Sequence, residues 1–282
     1  MAIDHFIPEI WASKTLMPLN KALVYGSIVN RDYQKDIINQ GDTVNINSFA
    51  QPTIGDYTKN GSAGAPETLT SSGQALLINQ AKFFNFEIDD IDKAQQTPKI
   101  MTDAMSEAGY GLADAMDQYI ASLNTGVAAA NIVGLGNDTT PVVPTKSDIY
   151  LYMTTAGQLL TEANVPMNGR WCVIPAWVYK LLQDSGEFTR ATSLGDSVVQ
   201  NGLIGSVAGF NVYVSNNVPN TTATKYKVMF GYNGAITLAD QINSVEAFRP
   251  EASFSDAVKG LHVYGAKLVR DTGIAVATFN KA

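Results

Sequence analysis

Charge is scarce in this sequence. Asp, Glu, Lys and Arg make up only 16% of its 282 residues, where about 25% is usual for soluble proteins. A chain that must stay dispersed alone relies on surface charge, so the shortage points to a surface partly covered by neighbours. Hydrophobic residues reach 45%, and the formal net charge is −7. Lys14, Lys21, Arg31 and Lys35 are spread singly. The clustered cations that grip a phosphate backbone are missing. An acidic wall is compatible with enclosing nucleic acid without holding it.

Other absences narrow the chemistry. The single cysteine, Cys172, sits in the apolar run Trp171-Cys172-Val173-Ile174 with no His, Lys or Arg signature beside it. It reads as a small buried strand residue, and intrachain disulfides are excluded, as suits folding in a reducing cytoplasm. There are two histidines, His5 on the N-terminal arm and His262 between Leu261 and Val263 in a strand pattern. Neither has the spacing of a zinc site or an evident catalytic partner. No nucleophile elbow, H-E-x-x-H run or phosphate-binding G-x-x-x-x-G-K-[ST] loop occurs. Gly109-Tyr110-Gly111 falls inside a helix pattern, which removes its likeness to a dinucleotide fingerprint. Glu87, Asp89, Asp90 and Asp92 lack calcium-loop spacing and read as a solvated or ion-paired strand end. The expected catalytic, cofactor and metal residues are therefore none. No segment has the apolar length to cross a bilayer. Met1-Ala2-Ile3-Asp4-His5 does not read as a secretion signal.

What is present is architectural. Residues 1–41 read as an N-terminal arm with a short helix. In 41–49, Val44 and Ile46 alternate with Asn45 and Asn47, a half-buried strand pattern. Its expected partner is 72–92, where Phe84, Phe86 and Ile88 alternate with Asn85, Glu87 and Asp89. Between them, residues 50–71 are rich in Gly, Ser, Thr, Ala and Pro, an excursion too long for an ordinary connection. Two strands joined that way cannot bury themselves, so something else must cover them. Thr97 and Pro98 then open a long helix, expected over about 97–125, with Met101, Met105, Ala108, Leu112, Ala115 or Met116, Tyr119 and Leu123 on one face. Gly109 and Gly111 weaken it and mark places where another backbone could approach. After a Gly/Asn/Pro-rich connector at 131–145, the pattern predicts a helix over 147–163 stopped by Asn164 and Pro166. A buried strand at 171–174 leads into a helix opened by Pro175, and further strands are predicted at 209–219 and 225–232. Residues 259–280 are strand-rich and must return to pair with something earlier. Gly205 and Gly209 are expected to hold a positive φ or a close contact. The fold class is α+β with a central inserted domain.

This order of elements resembles the major capsid proteins of tailed bacteriophages, the Hong Kong 97 fold. Three stretches carry the resemblance. GLIGSVAGFNVYVSNNVP (202–219) is similar to the family's glycine-bracketed turn, strand and Ser-Asn…Pro run. WCVIPAWVYKLL (171–182) is similar to the strand, Pro and aromatic helix before it. KGLHVYGAKLVRDTGIAVA (259–277) resembles the closing strand pair of the peripheral domain.

The resemblance implies an extended loop at 42–92, an axial domain at 147–240, and a peripheral domain from 93–146 and 241–282 that includes the spine helix. It implies a non-enzymatic coat protein whose pentamers and hexamers close into an icosahedral head in the virion, assembled in the bacterial host cytoplasm. Implied partners are copies of itself, a portal at one vertex and packaged double-stranded DNA enclosed without specific base contacts; no membrane is involved. Because the arm starting at Met1 is short, a separate scaffolding protein is expected rather than a cleaved N-terminal segment. Some members join a loop lysine to a neighbour's asparagine. Here Lys59 and Asn280 or Asn243 are the residue types available, but the polar Thr58-Lys59-Asn60 setting favours a charged, hydrated lysine and a noncovalent shell. The competing readings are an encapsulin-like compartment shell and, from another class, a cofactor-dependent α/β enzyme.

Overall fold

The computed structural model describes residues 20–33, 43–49, 51–56, 59, 66–89, 100–132, 134–185, 203–251 and 254–281. The expected helix start at Thr97 and Pro98, and the carboxylates Asp90 and Asp92, lie outside them. The element order is α1 (Tyr25–Ile28), β1 (Thr43–Phe49), β2 (Ser71–Leu77), β3 (Gln80–Asp89), α2 (Ile100–Ser122), α3 (Ile149–Glu162), β4 (Arg170–Ile174), α4 (Ala176–Asp184), β5 (Leu203–Val207), β6 (Phe210–Val214), β7 (Asn220–Thr221), β8 (Lys225–Tyr232), β9 (Ile236–Phe248), β10 (Ser255–Leu268) and β11 (Ile274–Asn280).

The strands form three sheets. β1 and β2 make an antiparallel ribbon, with Thr43 opposite Leu77 and Phe49 opposite Ser71. A three-stranded antiparallel sheet has the order β3-β10-β9, and a larger sheet runs β11-β8-β4-β6-β5 with β7 beside β8. The stretch expected to be one partner of β1 is thus divided. Residues 71–77 pair with β1, whereas 80–89, which carries the Phe84, Phe86 and Ile88 alternation, pairs with β10 instead. Those three side chains are half-buried while Asn85 and Glu87 are exposed, so the period-2 reading holds. The pairing fails as an expectation because alternation reports which face is covered, not which strand lies alongside.

The closing stretch 259–280 is divided too. β10 joins the three-stranded sheet, but β11 returns to pair with β8 of the larger sheet, Ala275 opposite Phe230 and Ala277 opposite Val228. β9 runs through the expected boundary at 240/241, pairing with β10 along its length. Strand pairing therefore groups 274–280 with the unit formed by 147–232, not with the rest of 241–282. The signal was available in IAVATF, a run apolar on both faces, which suits a strand covered on both sides.

The larger sheet is indeed covered twice. On one face α3 and α4 bury Ile149, Met153, Ala156, Leu160, Val178 and Leu182 against Cys172, Ile174, Val212, Phe230 and Ala277. The α3 stop follows from chemistry: Asn164 takes the left-handed conformation (φ +59°) that Asn tolerates. The buried Arg170 guanidinium then donates to Pro166 O (2.9 Å), Gly157 O (3.1 Å), Val165 O (2.7 Å) and Thr161 Oγ1 (3.1 Å). A cation satisfied by carbonyls at a helix C-terminus needs no carboxylate partner. Pro175 stands at the N-cap of α4, as read from the sequence. Gly205 and Gly209 have φ of +149° and +82°. Among the described residues nothing lies within 4 Å of a β-carbon at Gly209, and its left-handed conformation selects glycine in the Ala208-Gly209 turn.

On the other face lies a core shared with the smaller sheet. Trp171, Val173, Met229, Ile274 and Val276 meet Met116, Ile120 and Ala121 of α2, and the same cluster takes in Ile236, Leu238, Tyr264 and Ala266. The C-terminal half of α2 is therefore the common support of both sheets. Its N-terminal half is less covered: Met105, Ala108 and Leu112 are only half-buried. The helix ends in a 3-10 turn, Leu123–Gly126, and its 23 residues span about 34 Å. Among the described residues outside the helix's own backbone, nothing comes within 4 Å of a β-carbon position at Gly109 or Gly111, so none of them makes the close backbone contact expected there.

Burial pushes the Cys172 thiol well above its ordinary value and keeps it neutral. His262 is buried on β10 beside Tyr264, ring centroids 5.2 Å apart. Desolvation lowers its pKa from 6.5, and nearby Arg31 adds to the effect while Asp240 opposes it. A depressed folded value means the unfolded chain takes up the proton first as pH falls. Stability is then complete above about 6.5 and is lost as pH drops toward the folded value, at about 1.4 kcal/mol for each unit of depression. Denaturant titrations between pH 7 and 5.5 should show this loss, and His262→Gln should flatten it; an unchanged slope in the variant would assign the loss to other groups.

Candidate assembly site

The β1–β2 ribbon is anchored at one end. Ile46, Leu76 and Ile78 are buried with Ala239 and Val263, and Tyr33, Val44 and Val269 close around them. Fully burying side chains of this size stabilises by about 1.5–3 kcal/mol each. Polar contacts reinforce the anchor: Lys267 Nζ donates to Ala75 O (2.9 Å) and Gln74 Nε2 to Val269 O (3.2 Å). Gly265 lets the backbones come this close. A β-carbon there would overlap the Leu77 carbonyl oxygen and sit 3.0 Å from the Ile78 α-carbon.

Beyond the anchor the ribbon has little cover. Ser48 and Ser72 share a hydroxyl contact of 2.7 Å across the strands. Thr53 N donates to Glu67 Oε2 at 2.9 Å, drawing the two sides of the loop together. Ile54 is 86% exposed and Leu69 65%. Residues 51–56 and 66–70 are exposed throughout. On the smaller sheet Phe83 (77% exposed) is paired with the partly exposed Leu261, and Phe254 (85%) stands just before β10. Beside them Lys259 bridges to Glu246 (3.0 Å) and lies over the Phe248 ring. Apolar side chains standing clear of a body, rimmed by charge, mark a surface meant for another protein.

The chemistry-bearing residues do not converge. Lys59 is exposed, and among the described residues none is bonded to it. Asn280 ends β11, its N–H donating to Val142 O (2.7 Å). The side chain of Asn243 is outside the described set. Glu87 accepts from Ser255 Oγ (3.1 Å) at the strand end, and no group of three or more His, Cys, Asp or Glu is placed to hold a metal among the described residues. His5 lies outside them.

A sequence model of the phage capsid protein family matches residues 74–277. The chain belongs to the phage capsid protein family. Its fold matches a structure from Mycobacterium phage Che8 with 31% identity, 98% of each chain covered and a TM-score of 0.79. It also resembles the capsid structure of the cyanophage P-SCSP1u (16% identity, 99% of this chain and 94% of that one, TM-score 0.75) and the capsid of Ralstonia phage GP4 (12%, 100% and 98%, 0.74). No curated protein sequence matches. This capsid protein has the α+β architecture of the Hong Kong 97 type and is a major capsid protein; the compartment-shell and α/β-enzyme readings are not favoured.

One polar cluster of this capsid protein escaped the sequence reading. Asp117 is buried on α2 and accepts from the backbone N–H of Gly26 (3.1 Å). Asn217, from the SNNVP run, donates through Nδ2 to Asp117 Oδ2 (3.0 Å) and Asp114 Oδ1 (2.7 Å). Burial raises the Asp117 pKa although these donors oppose it. The available signal was a pair of aspartates three residues apart on the side of a helix otherwise built for packing.

Gly265→Ala should lower stability by about 1–3 kcal/mol through overpacking. Hydrogen exchange should show β1–β2 amides losing protection before those of β4 and β8. Native stability and protection in the variant would mean that the close approach is not what seats the ribbon.

Proposed function

We propose that copies of this chain form pentamers and hexamers that close into an icosahedral head around double-stranded DNA, with the β1–β2 ribbon of each subunit lying across its neighbour. The observation that carries this reading is the ribbon itself, tightly seated at its base and uncovered further out at 51–56 and 66–70, with Ile54 and Leu69 in solvent. An isolated two-stranded ribbon is marginal in water, so a neighbour's surface must complete it. The exposed Phe83 and Leu261 on the small sheet, and the half-covered start of α2, are surfaces of suitable character. A specific contact of this kind buries about 1,000 Å² or more, and repeated heterologous contacts close into rings.

In this reading 42–92 is the extended loop, although β3 within it is fixed to the body. The axial unit is 147–240 completed by β11, and the peripheral unit is 93–146 with the rest of 241–282. The net charge of −7 suits a wall that encloses DNA without gripping it. A portal at one vertex and a separate scaffolding protein complete assembly in the host cytoplasm. The exposed Lys59, with no carboxylate bonded to it among the described residues, favours a shell without covalent links, and the chain has no catalytic role.

Electron microscopy of the purified protein should reveal closed particles, and boiling them in detergent with reductant should give one band near 30.2 kDa. A ladder of heavier species would show cross-linking, with Lys59→Ala testing its donor. Persistent monomers at high concentration, with scaffolding protein supplied, would contradict the shell.

A further inference from the structure

Residues 20–33 contact α2, β9 and the loop after β6, and enter the core shared by the two sheets. At the start, Asn20 Nδ2 donates to Glu107 Oε2 (3.3 Å) and the Lys21 N–H to Tyr110 Oη (2.8 Å), both on α2. Lys21 Nζ reaches Asp114 Oδ2 (3.3 Å) and Asn217 Oδ1 (3.1 Å). In the middle, Asp117 accepts from the Gly26 N–H of α1, and Val24 and Tyr25 are fully buried in the shared core. At the far end the Asn30 N–H donates to Ile236 O (3.0 Å) and the Leu238 N–H to Asn30 O (2.8 Å). Arg31 pairs with Asp240 (3.6 Å) and donates back to Gly26 O (3.1 Å). The segment therefore runs from α2, past the loop that follows β6, to β9 of the small sheet.

Beside this segment, two short connections carry the chain between the two sheets. They are the turn between β8 and β9 and the 3-10 turn Asp271–Gly273 between β10 and β11. They are tied together where the Val269 and Arg270 N–H groups donate to Ala235 O (2.9 and 3.2 Å). Two sheets on one helix, joined by turns, can pivot unless something braces them.

We propose that residues 20–33 are that brace: a strap that fixes the large sheet, the small sheet and α2 relative to one another, with Asp117 and Asn217 as its fastening. Asn217 is suited to the task because its amide nitrogen bonds to both aspartates while its oxygen receives Lys21. One side chain thus joins the post-β6 loop, the helix and the strap. A buried carboxylate with several donors is costly to strip of any one of them. The fastening therefore holds or releases as a unit, and releasing it frees the joint between the sheets as well as the strap.

The test is hydrogen exchange on the purified chain, and does not depend on particle formation. Asn217→Ala and, at the rim, Lys21→Met are each compared with the parent. Exchange should rise about tenfold or more at 24–30 and together at 269–270, which make no bond to the strap. Strands β4 and β11 should keep their protection. Lys21→Met should show the same pattern more weakly, and serves alone if Asn217→Ala does not fold. A rise confined to 24–30, no rise at all, or a uniform loss reaching β4 and β11 would overturn the proposal. Each would mean that the segment is merely docked, or is part of general stability, and does not brace the sheets.

Discussion

The seating of the β1–β2 ribbon on β10 sets what the rest of the chain has to provide. At its base Leu76 and Ile78 are buried, Gly265 admits the ribbon backbone, and Lys267 and Gln74 tie off carbonyls. A few residues further out, among the described residues, the loop sides are drawn together by the Thr53–Glu67 bond. A ribbon fastened so firmly and then left in water makes physical sense when a second surface completes it, and in the proposed shell another copy supplies that surface. The low charge content follows from the same constraint, since a subunit that spends its life in contact needs less charge to stay apart from its fellows.

The body supplies rigidity at the place where such a lever must be held. Both sheets rest on the C-terminal half of α2, where Met116, Ile120 and Ala121 enter one continuous core with Trp171, Met229, Tyr264 and Ala266. Three polar groups inside are fastened to particular partners: Arg170 to the carbonyls after α3, Asn131 to Thr272 O and Ile274 O (2.8 Å each), and Asp117 to the strap. Each adds little net stability, but each would be expensive to leave unmet, so they select one arrangement among many that would bury similar apolar area.

Much of this was legible in the residues, and the exceptions share a cause. Local patterns were readable: the alternation of Val44 and Ile46, the three-and-four spacing of α2, Pro175 opening α4, and the glycines of the β5–β6 turn. Long-range pairing was not. Nothing in Phe84-Asn85-Phe86 says that its partner is β10 rather than β1, and the return of β11 to β8 could be suspected only from its two-sided apolar run. Asp117 was hidden for the same reason, since its partners lie some ninety residues back in the strap and one hundred ahead at Asn217. The family could be read because order and spacing of elements survive where pairings cannot be seen.

The claim on which the account rests is that the loop tip is completed by a neighbour. Limited proteolysis of free subunits and of assembled particles tests it most directly, with cleavage sites mapped by mass spectrometry. Residues 50–71 should be cut readily in free subunits and much more slowly in particles, while sites outside the ribbon change less. Equal cutting rates within 50–71 in both states would show that no neighbour covers the tip, and would contradict the account.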